Sequence, residues 1–189
     1  MKSFKFCVGL DIEDDKDKFN IAKKIIDETY DLVDYYKINP AFYLGKNLTS
    51  LYLIAEYLNQ QSLSWIYDGK LGDIGNTSKR YSEYVYDYLN ASGTTLNPYL
   101  GLDALEPFIK RKDKINFLLC KTSNPKACVF QNHSWANIAK SASEYENVGL
   151  VVACNKEDNL NSVRMINKNS YILSPGLGYQ KGKIIKITK

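Results

Sequence analysis

The chain has 189 residues, of which 44% are hydrophobic, 24% charged and 13% aromatic, with a formal net charge of +4. That balance belongs to a globular protein with one core and excludes disordered, collagen-like and pure coiled-coil chains; no run of about 18 apolar residues is available to span a membrane. Only three of the 25 basic residues are arginine (Arg80, Arg111 and Arg164) and the lysines are scattered among 21 acids, so no nucleic-acid-binding face is expected.

The opening segment, MKSFKFCVGLDIEDD, runs into acidic residues instead of a long apolar stretch with a cleavage site, so no secretory signal is expected. Residues 6–12 read as a first strand. Phe19, Ala22, Ile26, Tyr30 and Val33 then recur at helical spacing, followed by a strand at 35–38 and a second helix marked by Leu48, Leu51, Ala55 and Leu58. A strand at 63–67 leads to a third helix carrying Tyr81, Tyr84, Val85, Tyr88 and Leu89. Strands at 94–96, 115–120, 148–154 and 171–173 alternate with weaker helical stretches around 102–110, 135–145 and 157–167.

Strands and helices alternating at this spacing predict parallel βαβ units and an α/β class. An open doubly wound sheet and a closed (β/α)8 barrel both satisfy the pattern. The first strand is not followed by GxGxxG, which removes the main support for a dinucleotide-binding open sheet. The barrel is favoured by the ends of the apolar runs: Asp11, Lys37 with Asn39, Asp68 with Lys70, Asn97-Pro98, Thr122-Ser123-Asn124, Asn155, and Ser174-Pro175-Gly176. A barrel builds its site from such strand ends. One domain over 1–189 is expected.

Cys7, Cys120, Cys128 and Cys154 form no CxxC pair and His133 is the sole histidine, so buried reduced thiols in a cytoplasmic protein are expected and no metal site. The segment WIYDGKLGDIGNT, residues 65–77, carries the chemistry. In a strand Asp68 and Lys70 are two apart and face the same way, Asp73 follows at the strand end, and Thr77 stands near the N-terminus of the Tyr81–Leu89 helix, where a purely structural role would be an N-cap. A lysine flanked by carboxylates can be held protonated as a general acid. A generic salt-bridge cluster satisfies the same spacing.

The DxKxxD of Asp68, Lys70 and Asp73 resembles the signature of the orotidine 5′-phosphate decarboxylase family. So do GLD at 9–11, YKINPAFY at 36–43, DGKLGDIGNT at 68–77, TLNPYLG at 95–101, LCKTSNP at 119–125, GLVVAC at 149–154 and ILSPGLGYQ at 172–180. The resemblance implies a homodimeric (β/α)8-type barrel that converts orotidine 5′-monophosphate to uridine 5′-monophosphate (UMP) and CO2 in pyrimidine biosynthesis, without metal or organic cofactor. It implies a charged tetrad of Lys37, Asp68, Lys70 and Asp73, with Lys70 as proton donor to C6 of the pyrimidine. Asp11 and Lys37 are implied at the ribose, Ser123 at the pyrimidine, Pro175 in the substrate site and Gln180 towards the phosphate. Asp73 and Thr77 are implied to enter the partner subunit's site.

The chain departs from the family after PGLGYQ, where KGKIIKITK replaces a Gly-Gly-Asp turn, a final strand ending in a phosphate-gripping arginine, and a closing helix; no arginine follows Arg164. The expectation is therefore a barrel whose eighth strand and closing helices are missing or shortened, with IIKIT as a substitute strand and Lys181, Lys183 or Lys186 as candidates for the phosphate. A truncated or non-catalytic nucleotide-binding relative and a sugar-phosphate decarboxylase of the same superfamily are the competing readings.

Overall fold

The structure is a computed structural model that describes residues 4–14, 16–154 and 157–176. The first half comprises β1 (Cys7–Gly9), α1 (Lys18–Thr29), β2 (Tyr35–Ile38), α2 (Leu48–Gln60), β3 (Trp65–Leu71), α3 (Gly75–Glu83) and β4 (Gly93–Leu96). The second comprises α4 (Glu106–Ile109), β5 (Ile115–Lys121), α5 (Cys128–Ala142), β6 (Val148–Val152), α6 (Glu157–Ile166) and β7 (Ile172–Leu173). The sheet order follows chain order, β1 to β7, and β1/β2, β2/β3, β5/β6 and β6/β7 pair in parallel. This is the expected α/β alternation, with seven strands among the described residues. Asn155, Gln180, Lys181, Lys183, Lys186 and the IIKIT segment lie outside the described residues.

The strands were legible because parallel strands are covered on both faces and become continuous apolar runs. Every residue of β4 and β6 is buried. Gly149 in β6 sits so close to its neighbours that an added Cβ would lie 2.7 Å from the Phe117 ring and 2.8 Å from the Tyr171 carbonyl oxygen. Boundaries differ more than identities. β1 covers only 7–9, and β3 continues to Leu71, beyond the expected 67.

Packing resolves two compact units: one holds the chain to Gly69 together with Lys79–Thr94, the other Lys70–Ser78 together with the chain from Thr95. In the first, α1 packs on α2 and the core gathers Ala22, Ile26, Ile38, Leu51, Ile54, Leu58 and Trp65, each 2% exposed or less. Burying a large side chain of this kind contributes about 1.5–3 kcal/mol. Asn59 ties α2 to its neighbours by accepting from Trp65 Nε1 at 3.1 Å and donating to the Leu89 carbonyl at 2.9 Å. Tyr30, expected on the buried stripe, is 59% exposed: it caps α1, its N–H still donating to the Ile26 carbonyl at 2.9 Å, and its side chain stays at the surface.

The third helix starts at Gly75, six residues before the expected Tyr81, so Thr77 lies within its first turn and is not the N-cap. The helix then widens into a π-helical turn at Tyr84–Tyr88, closed by Leu89 N–H donating to the Tyr84 carbonyl at 2.9 Å. Widening brings residues four apart nearly into line, and the Tyr84 and Tyr88 rings stack with centroids 5.9 Å apart.

In the second unit α5 packs on β5 and β6 and against α6. It begins at Cys128, seven residues before the expected 135, because Val129 and Phe130 are exposed and contribute no inward stripe to the pattern. Buried amides close the loops. Asn167 donates to the Ala139 carbonyl at 3.0 Å and accepts from Ser170 N–H at 3.0 Å. Arg164 Nη1 donates to the Ser170 and Asn167 carbonyls at 2.7 and 3.3 Å, which fixes the end of α6.

Candidate active site

The first cluster follows from strand register. Gly9 pairs with Lys37, and Leu10 N–H donates to the Lys37 carbonyl at 2.8 Å, so the chain delivers Asp11 just past the end of β1 beside Lys37. Lys37 pairs with Ile66 on β3, and Asp68 lies one same-face step further towards the carboxyl end. The Lys37 side chain reaches along the strand to place Nζ 3.0 Å from Asp68 Oδ2 and 3.5 Å from both Asp11 carboxylate oxygens. Exposure falls from 37% for the Asp11 side chain to 15% for Lys37 and 11% for Asp68.

Burial presses the Lys37 ammonium towards its neutral form, but the charge of Asp68, then that of Asp11, and the hydrogen bond to Asp68 together outweigh it. The net direction is up, so Lys37 is a firm cation at neutral pH. The loop carrying Asp11 is clamped from behind: the buried Lys18 ammonium donates to the Ile12 carbonyl and the Tyr43 hydroxyl to the Leu10 carbonyl.

Of the four cysteines, Cys120 and Cys154 are buried as expected, whereas Cys7 and Cys128 are exposed. Cys7 is exposed as a residue, but its thiol is packed among charged side chains: burial pushes it up to about 11, Lys37 opposes, and Asp68 and Asp11 reinforce. It is a thiol and no nucleophile at neutral pH. Among the described residues no three His, Cys, Asp or Glu side chains converge as a metal-binding set, and no helix is long and apolar enough to cross a membrane.

The second unit carries the remaining candidates. Lys70 is exposed and adopts φ +49°, the left-handed region that a non-glycine residue enters at a cost of about 1–3 kcal/mol. The reading that Asp68 and Lys70 share a face assumed extended backbone. The left-handed residue interrupts that alternation, and the backbone turn sets the direction of the Lys70 side chain. Its N–H donates to Thr95 Oγ1 at 2.9 Å, and pairing resumes one residue on, where Asn97 N–H donates to the Leu71 carbonyl at 2.7 Å. Gly72 is required here: an added Cβ would lie 2.9 Å from the Asn97 carbonyl oxygen.

Asp73 is half-buried and accepts from Ile74 N–H at 2.8 Å through Oδ1. Thr77 is exposed on the first turn of α3, which Ser78 anchors by donating to the Ala104 carbonyl at 2.5 Å. Ser123 follows β5 in a loop braced by Thr122 and Gln131. Thr122 N–H donates to Gln131 Oε1 and Gln131 Nε2 donates to Thr122 Oγ1, both at 2.8 Å. Pro175 follows β7, its carbonyl accepting from Cys154 N–H at 3.3 Å. Thus Asp11, Lys37 and Asp68 are brought together, while Lys70 stands next to last in β3, Asp73, Ser123 and Pro175 occupy the segments that follow β3, β5 and β7, and Thr77 lies on the first turn of α3. Sequence reasoning gave Thr95 no role, although it opens the TLNPYLG block at 95–101 and pairs with Thr94 in a fully buried strand.

The profile of the "Orotidine 5'-phosphate decarboxylase / HUMPS family" matches residues 5–185. A relative from Dehalococcoides mccartyi named orotidine 5′-phosphate decarboxylase is 39% identical over 200 residues, covering 94% of this chain and 73% of its own. The solved OMP decarboxylase of Leishmania donovani superposes with TM-score 0.85 at 30% identity, covering 90% of this chain and 74% of its own. The UMP synthase of the same organism superposes with TM-score 0.88 at 31% identity over 94% of this chain, which spans 43% of that longer protein.

Proposed function

The chain belongs to the orotidine 5′-phosphate decarboxylase / HUMPS family, and on that premise we propose that it converts orotidine 5′-monophosphate to UMP and CO2. The observation that carries the reading is the Lys37 ammonium held between Asp68 and Asp11 at 3.0 and 3.5 Å in a largely buried pocket of charge. Structural ion pairs of this kind are costly to bury, and clusters of them mark sites where charge develops during a reaction.

In the proposed step the bond between C6 of the pyrimidine and its carboxylate breaks, CO2 leaves, and the electron pair stays on C6. Lys70 passes a proton to that carbon. Asp68 lies beside the departing carboxylate, Asp11 and Lys37 bind the ribose, Ser123 bonds the pyrimidine, and Pro175 and Gln180 complete the substrate pocket. Fixed charges do the work of a cofactor, so the scheme calls for no metal or organic group. Binding energy from the ribose and phosphate, remote from the reacting carbon, lowers the barrier by holding the base in place. The reading extends to one decarboxylase domain across the chain, acting in the cytoplasm.

Incubating the purified chain with orotidine 5′-monophosphate in EDTA should yield UMP and CO2 in equal amounts, with Lys70→Ala as the inactive control. Folded protein that turns nothing over would overturn the proposal. We also assign Asp73 and Thr77 to the partner's site in a homodimer. Mixing Lys70→Ala with Asp73→Ala chains, each inactive alone, should restore roughly half of wild-type activity per hybrid dimer, and about a quarter across a random equimolar mixture, because one of the two sites in each hybrid regains both groups. Subunit exchange without rescue would refute the shared site.

A further inference from the structure

A catalytic lysine in a left-handed backbone needs something to keep it there. The relaxed alternative is the extended conformation of the strand, near φ −120°, and a return to it would swing Cβ and everything beyond it. At Lys70 the hold comes from Thr95. Its Oγ1 accepts the Lys70 N–H at 2.9 Å from a position 1% exposed, where water does not substitute for it. The neighbouring Thr94 uses its hydroxyl differently, donating to the Tyr67 carbonyl at 2.8 Å. Two adjacent buried threonines on β4 therefore serve opposite polarities of β3: one takes a donor and the other supplies one. A side-chain hydroxyl can accept from an amide that a left-handed residue has turned away from the ladder, because its oxygen stands off the strand where a backbone carbonyl cannot follow. The bond and Gly72, which leaves room for Asn97, fix both ends of the irregular stretch.

We infer that Thr95 is a positioning residue for the proposed reaction: its hydroxyl holds the Lys70 backbone in the left-handed region and thereby aims the ammonium. The inference rests on the reading of Lys70 as proton donor. Thr95 itself touches no reacting atom, so its loss acts on proton delivery and leaves substrate binding almost unchanged. A displacement of about 1 Å at a reacting group is enough to cost roughly 10²-fold.

The test compares Thr95→Val, which keeps shape and removes the acceptor, with Thr95→Ser, which keeps the hydroxyl. Valine should lower kcat for orotidine 5′-monophosphate about 10- to 100-fold with KM within about threefold, and serine should restore kcat to within about threefold of wild type. Amide hydrogen exchange read by NMR should show protection at Lys70 in the wild type and the serine variant, and its loss in the valine variant with neighbouring strand amides unchanged. If valine prevents folding, Thr95→Ala takes its place in the same comparison. Wild-type kcat in the valine variant, equal losses for valine and serine, or a change confined to KM would each overturn the inference. A wild-type chain that turns nothing over would sink the decarboxylase reading and with it the catalytic half of the inference, whereas lost turnover in the valine variant with Lys70 protection unchanged would overturn the inference and leave that reading standing.

Discussion

Lys70→Ala is expected to lower turnover of orotidine 5′-monophosphate by at least about 10³-fold while the chain stays folded, because the proposed step has no other proton source at C6. Burial supports the second half of that expectation. Lys70 is exposed, so alanine removes little packing, and the left-handed φ of +49° is as costly for alanine as for lysine. Glycine is not penalised there. Lys70→Gly should be equally inactive yet more stable than Lys70→Ala by about 1 kcal/mol in urea titration. The pair of variants separates the two roles of the position: chemistry depends on the amine, stability on the Cβ. Retained turnover in either variant would remove Lys70 from the mechanism, and an alanine variant as stable as glycine would contradict the strained backbone.

Asp68→Ala should produce the largest loss of stability in the site. It takes the nearer carboxylate from the Lys37 ammonium, which is 15% exposed in the intact site, and leaves Asp11, at 3.5 Å, as its counter-charge among the described residues; removal of one partner of a largely buried pair costs about 3 kcal/mol. Lys37→Met alone likewise removes the cation 3.0 Å from the largely buried Asp68 carboxylate. The double variant strands neither, so the two losses should fall short of additive by about 1–3 kcal/mol in a double-mutant cycle. Simple additivity would mean that the pair is not coupled.

The same pair sets a pH signature. The folded-state pKa of Lys37 is raised, so the stability it contributes is complete below the ordinary lysine value of 10.5 and is lost as pH rises through the higher folded value. On the alkaline side, denaturant midpoints of wild type and Lys37→Met should therefore converge only above that value. Convergence between pH 6 and 8 would contradict a raised pKa.

Much of this protein was determined by its sequence alone. Buried parallel strands are apolar runs by necessity, so β2 appears at 35–38 and β4, β5 and β6 within two residues of the expected limits. The block residues Asp11, Lys37, Asp68, Lys70 and Asp73 announce a charged site at strand ends. Helix starts were legible only where an apolar stripe begins with the helix. Gly75-Asn76-Thr77-Ser78 and the exposed Val129 and Phe130 are helical without one, since their neighbours, not their own propensities, hold them there. What the tertiary structure alone decided is how the charges are held. The 3.0 Å contact between Lys37 and Asp68 depends on the register of two strands, and the left-handed Lys70 depends on a hydroxyl 25 residues further along the chain. Neither leaves a local trace, because register and a long-range hydrogen bond are properties of residues meeting across a sheet, and a non-glycine residue carries no sign in the sequence that its backbone will be held left-handed.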